Sequence, residues 1–271
     1  MESDLSLVSG LAGRFRAAFL MTALAGLLLS GCAAVKTAVP SATYVSPEAA
    51  LGALTLPVPS PALSATARIE ILTRSERYPL KAALILKEPA SLRMESIPLL
   101  GPPDFFLTVH NGQLRAYLPQ KGTFYVGPAT PRTLSRFLPL ALPPAEIVSL
   151  MLGHAPGEEP TSGMVLQGGA DEGLYRVDQI VLGAKTHSLW IDPDGGRLMK
   201  VRIFAADGGI LYTAEFDEHI RIGNAWIPRR LVIAGQDGSV RVSYTDIAPL
   251  DDDADVFVLP IPEGISPTPL D

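Results

Sequence analysis

Residues 65–87 read ATARIEILTRSERYPLKAALILK, and the alternation in this stretch decides the fold. Ala67, Ile69 and Ile71 alternate with Arg68 and Glu70. Leu80, Ala82, Leu84 and Leu86 then alternate around Lys81 and Lys87. Apolar residues at every second position line one face of a strand, so both segments predict strands with a core face and a water face. The pattern continues outward. Leu92 and Met94 suggest a third strand, and Phe105, Leu107 and Val109 lead into His110-Asn111-Gly112, from which Leu114, Ala116 and Leu118 return. Asn-Gly marks a tight hairpin because both positions accept positive φ.

Strand patterns resume at Tyr175 and Val177, His187–Ile191, Leu198–Phe204, Ile210–Phe216, Ile227–Ile233 and Val240–Tyr244. Asp194-Gly195-Gly196, Asp207-Gly208-Gly209 and Asp237-Gly238 supply turns between them. Even spacing of this kind predicts one continuous antiparallel sheet rather than alternating strand and helix units. Residues 155–170 hold four glycines and two prolines and read as a flexible loop.

Two stretches have helical texture. Ser46-Pro47-Glu48 is a helix start, with Ser46 as cap and Pro47 at the first position, running to about Leu54 before Pro57, Pro59 and Pro61. Between Pro131 and Gly153, Leu134, Phe137 and Leu138 recur at helical spacing, and Ile147, Leu150 and Met151 form a stripe ending at Gly153. Short leucine-rich helices are not stable alone in water. They must cover something, and the concave face of the sheet is the candidate. The expected fold is therefore mainly β: a single curved antiparallel sheet with short helices covering its concave face.

The N-terminus has its own logic. Arg14 and Arg16 precede an apolar run from Ala17 to Leu29, then Leu29-Ser30-Gly31-Cys32. This is the layout of a secretory signal peptide, and a run of 13 residues, interrupted by Thr22, is shorter than the roughly 20 that cross a bilayer as a helix. The last four residues resemble a bacterial lipobox. The resemblance implies cleavage before Cys32, the only cysteine, and a covalent lipid anchor on it. Several acyl chains, each methylene contributing about 0.8 kcal/mol, hold a protein stably on a membrane. Ala33, where an aspartate would imply inner-membrane retention, implies the periplasmic face of the outer membrane. The expected organisation is a signal peptide over residues 1–31, a lipidated tether over 32–45 and a folded domain over 46–271.

The 271 residues carry 22 Lys and Arg against 28 Asp and Glu, a net charge of -6, with 47% hydrophobic residues. That excludes a basic nucleic-acid binder and a disordered chain. Removing residues 1–31 takes two cations and two anions, leaving -6 and no basic patch evident in the sequence for anionic headgroups. No Gly-x-Ser-x-Gly elbow, phosphate loop or His-Glu-x-x-His spacing is present, and Cys32 sits at the leader junction. His110, His154, His187 and His219 are scattered. Asp192-Pro193-Asp194-Gly195-Gly196 reads as a hairpin turn, and Asp251 to Asp255 as a solvated acidic run. No enzymatic activity, metal or cofactor is expected.

The layout as a whole resembles the LolA/LolB-like superfamily, most closely the LolB-like and DUF4292-like outer-membrane lipoproteins. Similar features are the short helix at 46–54, Ile97-Pro98-Leu99-Leu100-Gly101 before a strand, the Leu134–Gly153 plug, Trp190-Ile191-Asp192, Trp226-Ile227-Pro228, and Phe257 with Pro260, Ile261 and Pro262. The resemblance implies that the curved sheet is an unclosed β-barrel under a short helical lid, with an apolar cavity that takes acyl chains of a lipoprotein or lipid, a periplasmic carrier protein as partner, and no chemistry. Leu84, Leu107, Leu134, Phe137, Leu138, Ile147, Leu150, Met151, Trp190, Phe204 and Trp226 are then the expected cavity lining or lid, and Leu99 and Leu100 the loop that delivers cargo to the bilayer. The alternative is a structural or adaptor lipoprotein with a filled core that works through protein contacts.

Overall fold

The computed structural model describes residues 44–54, 62–157, 163–223, 225–251 and 254–271. Cys32 with its leader and the tether up to residue 43, Pro57, Pro59, Pro61, residues 158–162, Asp252 and Asp253 lie outside them. The alternation at 65–87 becomes a hairpin: β1 (Ala62–Thr73) and β2 (Arg77–Lys87) pair antiparallel with Ile69 opposite Leu80 and Ala67 opposite Ala82. The apolar sides coincide, and a slip of one residue would turn both toward water, so the register is fixed.

Further strands are β3 (Ser91–Ser96), β4 (Phe106–His110), β5 (Gln113–Leu118), β6 (Thr123–Pro128), β7 (Met164–Asp171), β8 (Leu174–Val181), β9 (Ala184–Ile191), β10 (Leu198–Phe204), β11 (Ile210–Ile222), β12 (Ala225–Gly235), β13 (Gly238–Leu250) and β14 (Thr268–Pro269). All join one curved, unclosed sheet in the order β14-β6-β5-β4-β3-β2-β1-β13-β12-β11-β10-β9-β8-β7. Two antiparallel meanders, β1–β6 and β7–β13, meet where β1 pairs with β13; the two-residue β14 runs parallel to β6. Asn111 and Gly112 turn the β4–β5 hairpin with φ of 49° and 72°, as their identities predict.

Among the described residues three short α-helices accompany the sheet: α1 (Pro47–Leu54), α2 (Pro131–Leu134) and α3 (Pro144–Leu152). Ser46 Oγ accepts the amide of Ala49 at 3.2 Å, so the expected cap forms. Ala50 then buries fully against Tyr175, Val177 and Ile191 of β8 and β9. The helical spacing around Leu138 extends beyond the helix itself: α2 ends at Leu134, and Phe137 and Leu138 follow as turns bonded back to the Leu134 carbonyl.

The stretch expected to be a loop at 155–170 holds an edge strand over its last part. A side chain at Gly168 would place its Cβ 2.5 Å from the Tyr175 hydroxyl and 2.8 Å from Pro47, so this glycine lets α1 approach the sheet rather than turning the chain. At the opposite edge the C-terminal segment folds over the outer face of β3–β5. Arg93 and Arg115 donate to the carbonyls of Val256 and Leu259, and Phe257 stacks on His110 with ring centroids 5.2 Å apart. Leu270 then enters the core beside Gly127, where a Cβ would stand 2.5 Å from the Leu270 carbonyl oxygen.

Candidate functional site

The sheet's concave face and α3 form a single apolar body. Ile147, Val148, Leu150, Met151 and Leu152 are all buried, and they join Ile69, Leu84, Met94, Leu107, Leu231 and Val242 in one cluster. Through these side chains α3 touches β2 and β3 on one side and β12 on the other, spanning the seam between the meanders. The helix needs this burial, since nine residues do not hold a helix in water.

Polar ties to α3 are few. At its N-terminal end the Tyr212 hydroxyl donates to Glu146 Oε2 at 2.6 Å; near its C-terminal end the buried Tyr244 hydroxyl donates to the Met151 carbonyl at 2.9 Å. Burial, and for Tyr212 also the Glu146 carboxylate, drives both phenols far above their ordinary range, so each remains a neutral donor. Beyond the helix His154 Nδ1 lies 2.8 Å from Glu88 Oε1, a contact that holds the Glu88 carboxyl below the usual carboxylate range. Gly153 ends α3 in the left-handed conformation (φ 80°) with its amide on Leu150 and Ser149. A Cβ there would sit 2.4 Å from Pro228 Cδ. Gly153→Ala meets both a left-handed penalty and a clash with the rigid Pro228 ring, so a loss of roughly 2–4 kcal/mol in urea unfolding is expected. Gly169→Ala, with nothing within 4 Å of its Cβ, is the control and should move stability by less than about 0.5 kcal/mol.

The N-terminal end of α3 faces the same end of the sheet as the β1–β2 turn and the β3–β4 loop. Leu140 approaches Gly235 at the end of β12, and Phe137 packs against Phe105, with ring centroids 6.3 Å apart. Phe105 closes the loop that carries Ile97-Pro98-Leu99-Leu100-Gly101. In that loop Leu99 is 98% and Leu100 88% exposed, while Ser96 Oγ accepts the amides of Asp104 and Phe105 and pins the loop's base. The lid and an outward-pointing dileucine are thus joined by one aromatic contact.

Of the residues expected to line or cover the cavity, Leu84, Leu107, Leu134, Leu138, Ile147, Leu150 and Met151 lie in the cluster and Phe137 packs against it. Three do not join it. Trp190 faces the outer side of β9, opposite Arg176 and Lys200; its indole N–H donates to Asp171 at 2.9 Å, and Lys200 and Arg202 lie 5.5 and 5.4 Å from its ring. An indole needs a partner for its N–H, which the outer face supplies and an apolar interior does not. Phe204 lies under the Lys185 ammonium, and Trp226 between Arg197 and Arg221. Trp226 also borders a gap of about 20 Å³ between Leu54, Gly153 and Leu198. The histidines stay dispersed: His110 is on Ser91 and Phe257, His187 on Thr186, and His219 on the Leu198 carbonyl. Tyr212, Tyr244 and Phe105, which organise the lid, carry no local motif and were visible only as apolar positions within strands.

No protein family and no curated protein matches the sequence. Solved structures do match the fold. A LolA superfamily protein from Nitrosomonas europaea superposes with a TM-score of 0.53, covering 80% of this chain and 99% of its own, at 11% identity. A DUF1329 family protein from Desulfovibrio piger superposes with a TM-score of 0.53, covering 76% of this chain and 92% of its own, at 10% identity. The chain has the LolA-like fold.

Proposed function

We propose that this LolA-like chain is a lipid-anchored envelope protein, held through Cys32 on the periplasmic face of the outer membrane. It takes acyl chains of a lipoprotein or lipid between α3 and the concave face and passes them to the bilayer at the Leu99–Leu100 end. The carrying observation is that α3, nine residues long, fills the half-barrel with its buried apolar side chains on the sheet and is tied there by the hydroxyls of Tyr212 and Tyr244. An acyl chain that takes the place of those side chains gains about 0.8 kcal/mol for each methylene removed from water, offset by the cost of exposing the α3 side chains it displaces. No covalent step is involved, and a periplasmic carrier supplies the cargo.

The adaptor reading has its own support. On its outer side β7 pairs with no strand among the described residues, Val165 there is 54% exposed, and an open edge can accept a partner strand. The two readings separate by mass spectrometry of lipids extracted from the purified Cys32→Ser chain. An acylated species that copurifies and is displaced by added palmitoylated peptide supports the carrier reading. A clean extract, with no uptake of the peptide, leaves the adaptor.

A further inference from the structure

The convex face of the sheet carries a feature that the composition hides. The pairing of β13, β1 and β2 sets Ser243 opposite Arg68 and Arg68 opposite Lys81, and in the next row Arg241 opposite Glu70 and Glu70 opposite Pro79. These six residues border an open hollow of about 460 Å³, which also touches Ile69 and Leu80 between them along the strands. Glu70 is the single carboxylate of the lining, and it is already occupied: Arg241 donates to its Oε2 at 2.8 Å and Arg77 Nε to its Oε1 at 2.5 Å. The exposed side chains of Arg68 and Lys81 have no ion-pair partner among the described residues. Asp246 lies farther along, opposite Thr66, and does not border the hollow. A chain of net charge -6 therefore presents here a concave spot with three cations, Arg68, Lys81 and Arg241, around one neutralised anion, which corrects the expectation that it has no basic patch.

The position of this spot selects its ligand. The Ile97 amide donates to the Lys81 carbonyl at 2.7 Å, so the chain leaves the edge of the hollow and enters the loop that exposes Leu99 and Leu100. Cations beside protruding leucines match the two layers of a bilayer surface, anionic phosphates above acyl chains. We infer that the hollow bordered by Arg68, Lys81 and Arg241 binds the phosphate of an anionic lipid headgroup and orients the Leu99–Leu100 loop toward the membrane. This is independent of what the interior under α3 holds.

The test uses the full Cys32→Ser chain, so that no acyl anchor masks the effect and the leader contributes equally in every arm. Vesicles of phosphatidylcholine alone are compared with an equal mixture of phosphatidylcholine and phosphatidylglycerol by flotation. Binding should be stronger on the anionic vesicles and weaken with salt. Arg68→Gln with Lys81→Gln should cost roughly thirtyfold there, about fivefold per cation, and leave binding to phosphatidylcholine unchanged. Circular dichroism checks that the variant folds, and Arg229→Gln with Arg230→Gln, on β12, is a charge-matched control expected to retain anionic binding. Equal loss in that control, or no difference between the vesicles, overturns the proposal. Titration with inorganic phosphate alone distinguishes the source: saturation by phosphate without a vesicle preference would make the hollow a site for free phosphate and would likewise overturn the lipid assignment.

Discussion

Aspartate in place of both Leu99 and Leu100 is expected to slow acyl-cargo transfer to vesicles at least about a hundredfold while leaving the fold intact. Both side chains are almost fully exposed, so they contribute little to the core; exposed substitutions typically move stability by less than about 0.5 kcal/mol. Their burial in hydrocarbon is worth roughly 1.5–3 kcal/mol each, and every 1.4 kcal/mol is a factor of about ten. Transfer measured by fluorescence of a palmitoylated peptide, beside urea unfolding of the same variant, separates delivery from folding. Undiminished transfer would remove the dileucine from the mechanism, and a large stability loss would make it a cap on the core.

Leu150→Ala is expected to weaken folding and tighten acyl binding together. Leu150 is fully buried on the face of α3 that fills the half-barrel, so truncation should cost about 2–5 kcal/mol in unfolding free energy. If α3 and cargo compete for one apolar surface, a poorer plug raises the fraction of chains with an open interior, and apparent affinity improves in proportion to that fraction. A gain of roughly three- to fifteenfold for palmitoylated peptide follows if a third of the lost energy falls on the docked state. In a permanently filled core the same substitution would lower stability and bring no acyl binding. Ile191→Ala, on β9 in the separate cluster beneath α1, provides the contrast: similar destabilisation without tighter binding.

The parts of the fold that depend on local periodicity were legible. Ile69, Leu80 and Leu84 declared one face of β1 and β2, Asn111-Gly112 declared a hairpin, and Gly153 declared the end of α3, because each follows from residues a few positions apart. Most of the lid was legible for the same reason. Parity failed at His187–Ile191, where Leu189, Trp190 and Ile191 are all buried and no alternation says which face a residue takes. The indole N–H of Trp190 turned outward to Asp171, a preference that a hydrophobicity pattern does not encode. Gly168 was misread because closeness to Pro47 and a turn both call for glycine. The ties of α3 to Tyr212 and Tyr244 join residues 66 and 93 positions apart and leave no local trace. The cationic hollow was hidden by averaging, since only the strand register brings Arg68, Lys81 and Arg241 around Glu70.

The claim that α3 is a displaceable plug is tested most directly by amide hydrogen exchange over residues 144–153, with and without palmitoylated peptide. The account predicts slow exchange in the free chain and faster exchange on adding peptide, with Leu84 and Leu107 amides on the sheet still protected. Exchange over α3 that stays slow and unchanged under saturating peptide would contradict it, because the interior would then be closed to cargo.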